Sequence, residues 1–283
     1  MKIMRSLPLL FAIGAMLMMN VNARAAPHPW LEKAADKTQS IARRIPPPRH
    51  AMRSTLPKDS FGAWLRKLPL RPAGARVRLY NGQEKAYQAG QVAVVDMDVG
   101  ARDLQQCADA VIRLRAEYLW ATGRATHVAF NLTNGMRVAW ARWASGDRVV
   151  VDGNKTSWRS GKAPASSHAA FRRYLDFIFT YAGSASLERE LAPRAPSEVE
   201  PGDVLIQGGH PGHAVIVLDM ARDARGRPYL LLGQSFMPAQ EIHVLANPQD
   251  AKLSPWYRLD SLRSGLQTPE WGPFRRENLK RFK

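Results

Sequence analysis

The chain has 283 residues, room for one large or two ordinary domains, and with 45% apolar and 8% aromatic residues it is too rich in core formers to be disordered over most of its length. Lysine and arginine number 41 against 24 acidic residues, a formal net charge of +17, which favours polyanionic surroundings. The cations are scattered, as in Arg43-Arg44, Arg172-Arg173 and Arg275-Arg276, and no nucleic-acid motif accompanies them, so nucleic acid is not an expected partner.

Residues 1–25 carry Lys2 and Arg5, then an apolar run from Leu7 to Val21, then Ala23-Arg24-Ala25. This is the pattern of a secretory signal peptide cleaved near Ala25, too short and wrongly flanked for a spanning helix. No later stretch is long and apolar enough to cross a bilayer. The mature protein is therefore expected to be exported to the periplasm and to act as a monomer. Its expected partners are cell-wall peptide or other anionic envelope polymers. The single cysteine, Cys107, rules out an internal disulfide and leaves a thiol that is buried and inert, paired between chains, or reactive.

Residues 26–57 are rich in Pro and Arg and read as an extended leader. Residues 58–283 read as a single α+β domain. Ser60–Leu68 has Phe61, Trp64, Leu65 and Leu68 at helical spacing, and Pro69 stops it. Val77–Tyr80 and Val92–Asp96 are strand-like. Asp103–Trp120 is the strongest helix pattern, with Asp103 as N-cap, Gln106 completing a capping-box signature and Cys107 on the apolar face. His127–Leu132 and Met136–Trp143 flank Thr133-Asn134-Gly135, a hairpin signal. Residues 145–165 read as a loop, and Ser167–Tyr181 and Ser184–Leu191 as helices. Asp203–Gln207 and His213–Leu218 are Val/Ile/Leu-rich strands joined by a Gly/Pro turn. Tyr229–Ser235 and Ile242–Leu245 are further strands, while Trp256, Trp271 and Phe274 are expected to pack across the outside.

A cysteine near a helix N-terminus gains from the positive end of the helix dipole and from free backbone N–H groups. Those groups, with Gln105 or Gln106, could also hold an oxyanion. Asp103 adds an opposing negative charge. His213, at the first residue of its strand, suits a general base or a loop hydrogen bond. His210 competes for either role. Pairing His213–Leu218 with Tyr229–Ser235 puts Gln234 beside His213, where a polar group could orient the ring. Ser235 lacks the second glycine of a nucleophile elbow and reads as structural.

The order is a helix opening on Cys, a strand beginning Pro201-Gly202-Asp203, a strand beginning Gly212-His213 and a strand ending in a polar residue. It resembles the papain-type core of the NlpC-type and CHAP-type cell-wall amidases. That resemblance implies Cys107 as nucleophile, His213 as base and Gln234 as orienting group, on an antiparallel sheet with a long Cys-bearing helix packed on it and with insertions. It implies an amide hydrolase or transferase acting on cell-wall peptide, and no cofactor or metal. Ala108-Asp109 stands where those families have Ser and Gly, and 106 residues separate Cys107 from His213, more than in the compact amidases. The stretches QQCADAVIRLRAEYL, GGHPGHAVIVLD and QSFMPAQEIHVL also closely resemble an uncharacterised bacterial family, domain of unknown function 4846. A non-catalytic envelope protein binding wall peptide or glycan in the same cleft is the alternative.

Overall fold

The computed structural model describes residues 28–161 and 163–283; the signal-peptide pattern lies outside them. The Pro/Arg-rich segment lies against the domain through α1 (Ile41–Arg44) and β1 (Ala51–Arg53), and it buries Ile41 and Ile45. Helix α2 (Phe61–Leu65) starts where Ser60 Oγ accepts the Ala63 N–H at 3.2 Å. It buries Phe61, Trp64 and Leu65. Strand β2 (Gln91–Val94) follows, whereas Val77–Tyr80 forms only isolated bridges, Arg78 to Glu84 and Leu79 to Gln240.

Helix α3 (Cys107–Ala121) leads to the hairpin β3 (Ala129–Asn131) and β4 (Arg137–Ala139). The second predicted strand of this hairpin ends early, because Trp140–Ala144 turns into a helix, α4, which buries Trp140 and Trp143. Residues 145–165, read as loop, contain a second hairpin, β5 (Arg148–Asp152) and β6 (Lys155–Arg159). Its two-residue turn is Gly153-Asn154, between the paired Asp152 and Lys155, with Gly153 at φ +55°, a Gly-Asn signal hidden among Ser, Lys and Gly. Helix α5 (His168–Tyr181) is capped by Ser167, and α6 (Ser184–Glu190) follows.

The remaining strands are β7 (Ala192–Pro193), β8 (Val204–Gln207), β9 (His213–Asp223), β10 (Pro228–Gln234), β11 (His243–Leu245), β12 (Trp256–Arg258) and, after α7 (Ser261–Ser264), β13 (Leu279–Arg281). They build a nine-stranded antiparallel sheet in the order β2-β11-β10-β9-β8-β13-β7, with β1 on β9 and β12 on β10. The architecture is thus α+β with a large antiparallel sheet.

Strand β9 is the organising element. Its alternation sends Ala214, Ile216 and Leu218 into the core shared with α3, and Val215 and Val217 into a second core with Leu230, Leu232 and Phe274. A register irregularity between Val217 and Asp219 then places Met220 in that second core as well. Both faces of β9 are dry, which is why it reads as a continuous apolar run. Trp256 and Phe274, expected on the outside, are 1% and 0% exposed, because β12 and the tail fold over the sheet. Asp219, buried in β9, ties the N-terminal segment down through Arg53 Nε at 2.7 Å and Arg66 Nε at 2.5 Å. Among the described residues no helix is long and apolar enough to cross a membrane.

Candidate functional site

The N-cap of α3 is Gln106, not Asp103, and Cys107 is the first helical residue. Asp109 Oδ2 accepts the Gln106 N–H at 3.1 Å. The Asp103 carboxylate is drawn away to Ala239, whose N–H it accepts at 2.7 Å, and to Gln106 Nε2 at 3.0 Å. A long-range backbone donor thus outcompetes a local cap for the Asp103 carboxylate, and the segment before Cys107 stays non-helical. As the first residue of the helix, Cys107 has a backbone N–H with no intrahelical acceptor.

Cys107 Sγ lies 4.0 Å from Gly212 O, on the core side of α3. Burial pushes the thiol up to about 11, and the nearby Asp109 adds to this while the Ala214 N–H opposes it. Asp109 is itself buried, with Oδ1 lacking a partner, and burial drives its carboxyl well above the usual range. Both side chains line a cleft of about 520 Å³ between the start of α3 and the loop before β9, together with Ser184, His210, Pro211 and Met237. Alkylation of Cys107 is accordingly expected to be slow at pH 7 and to rise about tenfold per pH unit towards pH 10. Peptide mass spectrometry after timed iodoacetamide exposure measures this, and a rate already flat below pH 8 would contradict it.

His213 leaves β9 on the opposite face, beside Val215, and its ring packs against Phe236, Trp271 and Phe274 at centroid distances of 5.0, 5.3 and 6.3 Å. The thiol and the imidazole therefore meet one strand end from its two sides. Sγ touches the backbone flanking His213, but no hydrogen bond joins Cys107 to the ring among the described residues. His213 and Gln234 are brought together: Nε2 of the ring lies 2.8 Å from Gln234 Oε1. Gln234 Nε2 donates to Glu270 Oε2 at 2.8 Å, and the same oxygen takes Lys85 Nζ at 2.5 Å. A carboxylate held by a lysine only accepts, so the amide nitrogen must face Glu270 and its oxygen must face the ring. His213 then carries its proton on Nε2 and keeps a lone pair on Nδ1. Burial draws its pKa down to about 4, with Lys85 adding to the effect and the Gln234 bond opposing it. At neutral pH the imidazole is uncharged.

Gln105 is fully buried; Arg113 Nη1 donates to its Oε1 at 3.1 Å, while its Nε2 has no partner. Ser235 Oγ lies 3.0 Å from Gln105 O and 2.7 Å from Gln240 O, a tie between β10 and the approach to α3. Ser235→Ala is expected to cost about 1–2 kcal/mol in urea denaturation, because it strands one of two buried carbonyls. His210 is exposed on the cleft rim.

Four further residues stand in this region that sequence reasoning did not single out: Lys85, Asp109, Glu270 and His243. His243 pairs with Gln234 across the sheet, its Nε2 is buried without a partner, and its pKa falls to about 3 through burial, Lys85 and His213. The signal available for His243 was a lone polar residue inside the apolar strand Ile242–Leu245. Lys85 and Glu270 lie in loops far apart in sequence, and nothing local marks them.

Comparison with curated proteins and with solved structures finds no match. A family match does exist, spanning residues 41–281 and so both the N-terminal segment on β9 and the strand β13 that closes the sheet. The chain belongs to the family described as Domain of unknown function (4846).

Proposed function

We propose that the protein is a cysteine-dependent amide hydrolase or acyl transferase, built on a papain-like core and acting on cell-wall peptide in the periplasm. The observation that carries this reading is the orientation of His213. The bond from its Nε2 to Gln234, itself fixed by Glu270, leaves Nδ1 as the acceptor, which is what a general base for a thiol needs. The first residue of α3 supplies the nucleophile and a backbone N–H without an intrahelical acceptor.

In the reaction, the Sγ–H proton passes to Nδ1 as sulfur bonds to the amide carbon. The oxyanion is held by the Cys107 N–H and the unpaired Gln105 amide. The imidazolium returns its proton to the leaving nitrogen as the C–N bond breaks, giving a thioester. Water, or an acceptor amine, then attacks the thioester, and the thiol is regenerated. The resting pair is neutral thiol and neutral imidazole on the two sides of one strand end, so proton transfer accompanies attack. The reaction requires the thiol to leave Gly212 O and the start of β9 to shift until Sγ reaches Nδ1.

A second reading, a non-catalytic binder of wall peptide or glycan, is favoured by the raised thiol pKa and the missing Cys107–His213 hydrogen bond. A rival base, His210, is favoured by its place on the cleft. Turnover and binding of purified cell-wall stem peptides separate the three. Cys107→Ser should abolish turnover and keep binding, and His213→Ala should lose about a hundredfold or more in kcat/KM. His210→Ala should stay within about threefold of the parent, since a rim residue contributes binding only. Turnover that survives Cys107→Ser removes the cysteine-dependent reading, a larger loss in His210→Ala than in His213→Ala reassigns the base, and binding without turnover in the parent leaves the binder.

A further inference from the structure

We propose that a second cleft, at the opposite end of β10 from Gln234, is a binding site for an anion carrying two or more phosphate groups. The cleft measures about 510 Å³ and gathers Arg222, Arg227, Arg258, Arg263 and Arg276 around a single lining carboxylate, Asp260. These arginines come from the end of β9, the β9–β10 turn, β12, α7 and the turn before β13, so their convergence is invisible in a sequence where they look scattered.

The floor is apolar: Tyr229, Leu259 and Leu262 line it and are 7%, 8% and 2% exposed. A low-dielectric floor under a cationic rim strengthens each charge contact relative to open water. Arg258 is held over the Tyr229 ring at 5.7 Å, within cation–π range. Arg222 Nη1 donates to Gly226 O at 3.0 Å. Only Arg227 is neutralised, by Asp223 at 2.6 Å. The other four have no carboxylate within ion-pair distance among the described residues. Guanidinium groups without a carboxylate partner, gathered on one concave, half-apolar surface, make a field that attracts a polyanion. The planar donor fork matches phosphate oxygens in pairs.

The site is independent of the Cys107 cleft. Six residue steps along β10 separate Pro228 from Gln234, about 20 Å at the rise of a strand. A ligand here leaves Cys107 untouched, so the inference stands whether or not the chain is an enzyme.

The test uses the full mature chain at 0.1 M salt with two probes, inorganic tripolyphosphate followed by titration calorimetry and sedimentation with vesicles containing cardiolipin, whose headgroup carries two phosphates. Saturable binding of tripolyphosphate alone assigns the site to a free phosphorylated solute, and saturable binding to vesicles assigns it to a lipid headgroup; both support the proposal. The triple variant R222Q/R258Q/R263Q should weaken the binding by about tenfold or more. The charge-matched control R43Q/R159Q/R173Q, at exposed positions elsewhere, should stay within about twofold, because it removes the same net charge without touching the cleft. If the triple variant does not fold, Arg263→Gln alone replaces it, with a loss of about threefold expected from one charge-assisted contact. Absence of saturable binding to both probes, or equal weakening by the cleft and control variants, overturns the proposal.

Discussion

Replacing Arg113 with methionine is expected to destabilise the fold by about 3–5 kcal/mol, the usual consequence of leaving a buried charge without its partner. Arg113 and Glu117 sit one turn apart on α3, both side chains at 0% exposure, with Nε to Oε1 at 2.7 Å. Burial alone would lower the Arg113 pKa, but Glu117 and Asp98 more than reverse this, and the net direction is upward. Its Nη2 reaches Asp98 Oδ1 at 3.1 Å. With the guanidinium gone, Glu117 keeps only His168, whose Nε2 lies 2.9 Å from Oε2. Chemical denaturation of Arg113→Met beside the double variant Arg113→Met/Glu117→Leu measures the effect. The double variant should recover most of the loss, because removing both charges leaves no buried charge unpaired, only the neutral Gln105 Oε1 without its Arg113 partner. A single variant within about 1 kcal/mol of the parent would show that the pair is solvated in solution. Arg113 also holds Gln105 Oε1, so the same substitution should loosen the approach to Cys107.

Acid is the second large lever. His213 and His243 have folded-state pKa values near 4 and 3, against about 6.5 when unfolded. A histidine with a depressed folded pKa binds its proton more readily when unfolded. Its contribution is fully present above pH 6.5 and is lost as the pH falls towards the folded value. For the pair, the loss between pH 8 and pH 5 is about 4 kcal/mol. Asp109 works in the opposite sense: its raised carboxyl takes up a proton in the folded state as the pH falls, which favours folding at acid pH. The comparison that isolates the histidines is urea denaturation of the parent and of His213→Gln/His243→Gln, at both pH values. The pH dependence of the parent should exceed that of the double variant by about the figure above. Equal slopes would mean that water reaches both rings. Lys85→Met should raise the His213 pKa as read by NMR, because the lysine is one of the charges that depress it.

Local signals in the chain determined the elements around β9 well. The Val/Ile/Leu runs on either side of the Gly/Pro turn became β8 and β9, and Ser60 and Ser167 capped the helices they precede. Hairpin pairing brought the end of β10 towards His213, but a one-residue register shift between Leu231 and Leu232, which no turn signal announces, is what puts Gln234 on the His213 face of the sheet. What local signals could not decide was anything set by competition or convergence. Asp103 is a better cap than Gln106 by residue type, yet a backbone N–H from residue 239 captures it and shifts the helix start to Cys107. The outward look of Trp256 and Phe274 was reversed by a tail that returns to the sheet. Most of all, side-chain period in a strand says that His213 and Ala214 face opposite ways, but not which face the helix will cover. Only the packed structure shows that α3 takes the Ala214 side, that Lys85 and Glu270 arrive from distant loops to orient Gln234, and that five arginines share one cleft. Each of these depends on contacts between residues far apart in the chain, and sequence spacing holds no record of them.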